Sequence, residues 1–146
     1  MIFKNKKLVV GVVMLAMLMA AGIWLTMPVQ AHRSDLISKN IEIVMSEFSF
    51  TVTGGMPILK PGDVVRFKIK NTGKVRHDFH MGKDPNAKDE KYNTSPFEPF
   101  DMLELDAGST ADLTLTVPDK VGDWEIGCFQ AGHYGAGMKL AFKIAK

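Results

Sequence analysis

Gly122-Asp-Trp124-Glu-Ile126-Gly-Cys128-Phe-Gln-Ala-Gly-His133-Tyr-Gly-Ala-Gly-Met138 begins as a strand and ends as a glycine-rich loop. Alternate residues of a strand share one face, so Trp124, Ile126 and Cys128 point the same way. The first two are strongly apolar, which makes that face the core and delivers the thiol to the end of a packed sheet. Gly132, Gly135 and Gly137 allow the following loop to turn tightly, bringing His133 and Met138 back around the same point.

Outward from this stretch the same period recurs. Ile41-Glu-Ile43-Val-Met45, Phe48-Ser-Phe50-Thr-Val52 and Val64-Val65-Arg-Phe67-Lys-Ile69-Lys alternate apolar and polar residues. So do Leu113-Thr-Leu115-Thr-Val117 and Met138-Lys-Leu140-Ala-Phe142-Lys-Ile144, with a shorter run at Met102-Leu103-Glu-Leu105. Val75 to Met81 reads as a short strand carrying His77. Gly54-Gly55, Pro61-Gly62, Asn71-Thr-Gly73 and Asp106-Ala-Gly108 punctuate the runs as turns. Seven or eight short strands with regular turn signals predict an all-β sandwich or barrel. No segment keeps a helical period. One stretch breaks the rhythm, Gly82 to Pro99, which is long, polar and interrupted by Pro85, Pro96 and Pro99. It reads as a solvated connection with room for a turn of helix, the alternative being a functional lid or mobile excursion.

The N-terminus has a different character. Lys4, Lys6 and Lys7 precede an apolar stretch from Leu8 to Met27, and Pro28-Val29-Gln30-Ala31 follows. A basic head, an apolar middle and an A-x-A-like end describe a secretory signal peptide. At about 20 residues the stretch also suffices to span a bilayer if left uncut. The expected organisation is a signal peptide over 1–31, with a retained membrane anchor as the alternative, and one domain over 32–146. Without Lys4, Lys6 and Lys7 the 18 basic residues become 15, against 16 acidic ones, so the exported part is nearly neutral. Nucleic-acid binding needs a clustered basic face, which this chain lacks.

Export sharpens the meaning of the lone cysteine. With one Cys in the chain, no internal disulfide can form, and outside the reducing cytoplasm a free thiol is reactive unless protected. Cys128, His133 and Met138 place a thiolate, an imidazole and a thioether in a C-x4-H-x4-M run. A Cys and two His with a weak axial Met make up a type 1 copper site, so a second His must come from elsewhere. His77 is the best candidate. Structural zinc favours four Cys or His ligands, and a Met ligand is foreign to it. A catalytic Cys-His pair needs an accessible thiolate beside a base, whereas here a Met and glycines complete the loop. His80 follows His77 by three residues and, on a strand, faces the other side as a surface histidine. Met45, Met56, Met81 and Met102 read as packing residues, and His32 as an incidental histidine.

Together, Phe48-Ser-Phe50, Pro61-Gly62-Asp-Val64-Val65-Arg-Phe67, Asn71-Thr-Gly73, His77-Asp-Phe79 and Gly122 through Met138 resemble the cupredoxins, the small type 1 blue-copper family. The resemblance covers nearly the whole exported part, in the family's order. It implies a Greek-key β-sandwich holding one copper ion through His77, Cys128, His133 and Met138. It departs at Asp78, where many relatives carry Asn, a change expected to alter the hydrogen bonds between the two ligand loops. His133 is expected nearest solvent, framed by an apolar docking patch of Phe129, Ala131, Tyr134 and Ala136.

Four protein ligands leave no open metal position for a substrate, which argues against an enzyme. The expected function is one-electron transfer in the periplasm, with a cytochrome, an oxidase or a membrane electron-transfer complex as partner. The alternative is a periplasmic protein of copper tolerance or copper handling. Against that stands the exported part's small stock of five methionines and four histidines, none in a Met-rich or His-rich tract. A multicopper oxidase or nitrite reductase would need further domains and His pairs.

Overall fold

The alternation read from the sequence becomes nine strands in two sheets in the computed structural model, which describes residues 36–146. Residues 1–35, with the expected signal peptide and His32, lie outside the described residues. The strands are β1 (Lys39–Ser46), β2 (Ser49–Val52), β3 (Val64–Asn71), β4 (His77–Asn86), β5 (Lys91–Thr94), β6 (Met102–Leu105), β7 (Thr110–Thr116), β8 (Gly122–Gly127) and β9 (Lys139–Ile144). One sheet runs β2-β1-β3-β7; the other runs β5-β4-β8-β9, with β6 also paired to β4. β1 and β3 are parallel, and the remaining strand pairs are antiparallel. Among the described residues no helix is long and apolar enough to cross a membrane.

The core forms where the alternating apolar faces meet. β1 contributes Ile41, Ile43 and Met45, β3 contributes Val65, Phe67 and Ile69, and β4 contributes Phe79 and Met81. Trp124, Ile126 and Cys128 enter from the β8 side, with Phe142 and Ile144 from β9. Each fully buried side chain of this size stabilises the fold by about 1.5–3 kcal/mol relative to exposure. The expected packing methionines divide. Met45 and Met81 are fully buried and Met56 packs against the core, but Met102 is 52% exposed. Its strand β6 lies at the edge of the sheet, where its side chain faces solvent.

The stretch from Gly82 to Pro99 corrects the expectation of a solvated connection. β4 runs on to Asn86, and β5 pairs back on it with Lys83 opposite Thr94 and Pro85 opposite Tyr92. The ninth strand arises here. Though polar overall, the segment buries Tyr92, Ser95 and Phe97, and Phe97 stacks on Phe142 at 6.4 Å between ring centroids. These buried side chains anchor a segment whose composition alone suggested a loop.

Candidate metal centre

β4 and β8 are antiparallel neighbours, with His80 opposite Gly127 and Met81 opposite Ile126. This register brings the first residue of β4, His77, to the end of the sheet where the chain leaves β8 at Cys128. Cys128 Sγ lies 3.9 Å from His77 Nδ1 and 3.5 Å from His133 Nδ1. All three donor atoms fall within 4.8 Å of one another. Met138 closes the same loop, fully buried, and its carbonyl accepts a hydrogen bond from the Cys128 N–H at 3.1 Å.

The loop is shaped by its own backbone. His133 N–H donates to the Gln130 carbonyl at 2.9 Å, and Met138 N–H donates to the His133 carbonyl at 3.0 Å. Gly132 and Gly137 take φ values of 82° and 98°, a region that favours glycine. Gly135, read as a third such hinge, is not among the residues with positive φ. Tyr134 stacks on Phe129 at 5.0 Å with an interplanar angle of 3°, and its hydroxyl donates to Glu125 on β8. Burial, and then the Glu125 carboxylate, push the Tyr134 pKa up to about 12, so this hydroxyl stays a donor at neutral pH.

The His77 segment is held from a different direction. Asn71, fully buried at the end of β3, donates through Nδ2 to the carbonyls of Val75 at 2.8 Å and Leu105 at 3.0 Å. Its Oδ1 accepts from Gly73 N–H at 2.8 Å. A Cβ on Gly73 would come within 2.7 Å of His77 Nε2, so the turn requires a residue without a side chain. The sequence marked Asn71-Thr-Gly73 as a turn and missed its role as the clamp behind His77. Asn-x-Gly shortly before a candidate ligand was the available signal.

Burial acts in the same sense on both groups, favouring the neutral imidazole of His77 and the neutral thiol of Cys128. Burial lowers the His77 pKa, reinforced by neighbouring His133, and the neutral imidazole is the form that ligates. Burial raises the Cys128 pKa, opposed by backbone N–H groups of Asp78 and Gln130. Asp78 N–H donates to the sulfur at 3.3 Å. A thiol that burial holds protonated loses its proton outright to a coordinating cation. Two imidazoles and a thiolate are a donor set that suits one type 1 copper ion, so the residues present fit that group.

The expected docking patch needs correction. Phe129 is 5% exposed and packs inward, its ring held among His80, Tyr92 and Tyr134. Ala131 and Ala136 are exposed, and Tyr134 is half-buried. In place of Phe129 stands Phe48, 51% exposed, edge-on to His133 at 5.1 Å. The sequence reading put Phe48 inside a strand. It instead sits in the turn from β1 to β2 with φ of 64°, where it reaches the metal end of the molecule. His133 is half-buried whereas His77 and Cys128 are buried, so it is the most exposed of these three, as expected.

The two sheets with a His-Cys-His cluster at one end define a cupredoxin-like architecture. No protein-family model matches the chain, and no curated protein matches it. Solved structures do. The structure of sodium-dithionite-reduced auracyanin from the photosynthetic bacterium Roseiflexus castenholzii aligns with a TM-score of 0.57 at 20% identity, covering 75% of this chain and 99% of that one. Auracyanin A, a blue copper protein from Chloroflexus aurantiacus, aligns at 0.53 and 21%, covering 73% and 98%. A multicopper oxidase from Campylobacter jejuni aligns at 0.56 and 16%, covering 80% of this chain but 32% of the oxidase. Likeness at these identities establishes the fold. The fit to a cupredoxin rests in addition on the His77, Cys128 and His133 cluster.

Proposed function

We propose that the protein is a type 1 copper protein that carries single electrons in the periplasm, free or anchored at the outer face of the cytoplasmic membrane. One observation carries the reading: His77 Nδ1, Cys128 Sγ and His133 Nδ1 converge within 4.8 Å at one end of the sandwich. His77, Cys128, His133 and, as the weakest donor, Met138 are the residues that would hold the copper. Bound copper would supply the Cu(I)/Cu(II) couple.

The chain's own residues do the rest. The β4–β8 pairing and the Asn71 clamp hold the donors in place, so the site reorganises little when charge changes. The buried faces of Cys128 and Met138 exclude water. His133, beside exposed Phe48, Ala131 and Ala136, offers the short path by which a cytochrome, an oxidase or a membrane complex can exchange an electron. Such redox encounters typically use small interfaces.

Copper-loaded protein is expected to show an intense visible sulfur-to-copper band that ascorbate bleaches, with the band absent in Cys128→Ser. Reversible cycling against a cytochrome distinguishes a carrier from a copper-handling protein. A deletion strain that fails only on high copper would support the copper-handling alternative instead.

A further inference from the structure

Asp78 follows His77 on β4 and is only 6% exposed, an unusual setting for a carboxylate. Both its polar groups act on the other ligand segment. Its N–H donates to Cys128 Sγ at 3.3 Å, and its Oδ1 accepts from Gln130 Nε2 at 2.8 Å. Gln130 lies two residues past Cys128, so the side-chain bond ties the thiolate loop to β4. The carboxylate's partner is a neutral amide, which satisfies the oxygen without cancelling its charge. Charges that are poorly screened by water act strongly on one another.

We propose that Asp78 and Gln130 form a positioning pair for the metal centre: the pair clips the Cys128 loop to β4, and the Asp78 carboxylate favours oxidised over reduced copper. This rests on the copper reading above. Loss of one electron from Cu(I) to an oxidised partner protein adds one positive charge at the site, and a nearby anion stabilises the more positive state. The backbone N–H bond to sulfur acts in the opposite sense, by drawing charge from the thiolate. Replacing Asp78 by Asn keeps that N–H and an acceptor oxygen for Gln130, and removes the charge while turning the other carboxylate oxygen into an NH2 donor.

The test uses the full-length protein in two forms. With copper bound, a redox titration followed through the visible band is expected to show Asp78→Asn shifting the Cu(I)/Cu(II) ratio at fixed potential by roughly tenfold towards Cu(I), ~59 mV for one electron, with the band retained. Asp78→Ser, a second neutral replacement, should shift it the same way. An unchanged or lowered potential in both variants overturns the charge role. Without copper, Asp78→Ala and Gln130→Ala should each lower the melting temperature, and the double variant should lose less than the sum, as coupled residues do. Strict additivity overturns the clip. If the wild-type protein shows no sulfur-to-copper band, the copper reading fails, and the metal-free cycle still decides whether the clip exists.

Discussion

Strand β4 carries two histidines three residues apart, and its two faces put them in different chemistry. His77 points into the sandwich end, fully buried, with Cys128 and His133 as neighbours. His80 points the other way, half-buried, with its ring edge-on to Phe129 at 5.2 Å. It lines a cavity of about 350 Å³ with Lys91, Tyr92, Glu98, Asp101 and Met102. The same residue type on the same strand is a candidate ligand on one face and a packing group on the other. Side-chain alternation, a purely local property, makes that difference. What each face meets depends on residues far away in sequence.

The sharpest way to break the contrast is to remove one histidine at a time. His77→Ala is expected to abolish the visible copper band, as Cys128→Ser does, whereas His80→Ala should leave it nearly unchanged. Equal loss of colour in the two histidine variants would mean that the ligand face of β4 has been assigned wrongly. Met138→Leu should keep copper bound while moving the reduction potential, since a thioether is the weakest of the four proposed donors.

Next in size is the core under the ligand face. Phe79 is fully buried between Phe50 and Phe67, at ring distances of 6.4 and 5.9 Å. Phe79→Ala should cost about 3–5 kcal/mol in urea unfolding. A loss below about 1 kcal/mol would show that this face is less tightly packed than the geometry indicates.

On the opposite face, the β4–β5 hairpin can be tested through Gly82. An added Cβ there would meet Tyr92 Cβ at 2.4 Å and the Thr94 carbonyl at 2.6 Å, and a backbone atom cannot move cheaply. Gly82→Ala should therefore destabilise by about 1–3 kcal/mol. Amide exchange should quicken first in residues 83–94. The visible band should persist, because the proposed ligands all lie outside residues 82–94.

At the metal-end surface, Ala136→Asp should slow electron exchange with a physiological partner several-fold, as an unpaired charge would be stranded at the interface. Phe48→Ala should slow it too, by removing the ring beside His133. Wild-type exchange rates in both variants would move the docking surface elsewhere, the β4–β5 hairpin being the next place to look.

The smallest effect concerns acid. Burial lowers the His80 pKa below its ordinary 6.5 and so disfavours the imidazolium in the folded state. The unfolded chain then binds more protons, and stability is lost as pH falls below about 6.5 towards the folded-state value. In metal-free protein His80→Gln should flatten this part of the stability curve. An unchanged slope would assign the acid sensitivity to other groups, His77 first among them.

Fold class and ligand run were legible because both depend on short-range periodicity. Period-2 alternation from Ile41 to Met45, Val64 to Lys70 and Trp124 to Cys128 matched the buried faces observed in β1, β3 and β8. The C-x4-H-x4-M run likewise confined His133 and Met138 to the loop that leaves Cys128. The β5 strand was not legible, since Lys91-Tyr-Asn-Thr94 has no apolar rhythm and owes its place to pairing with β4 and to buried Tyr92. Phe48 and Phe129 were misplaced for a related reason. Each lies at a strand end, where alternation stops predicting direction and a turn or a packed neighbour takes over.

By itself, then, the sequence determined which residues could form strands and which soft donors lie in one loop, because strand period and loop length are local constraints. Only the tertiary structure decided that His77 meets Cys128 across 51 residues, that Asn71 clamps the turn before His77 and that Gln130 reaches Asp78. These contacts come from the register between β4 and β8 and from the packing of two sheets. Both are set by the summed burial of side chains distant in sequence, which no single stretch of the chain encodes.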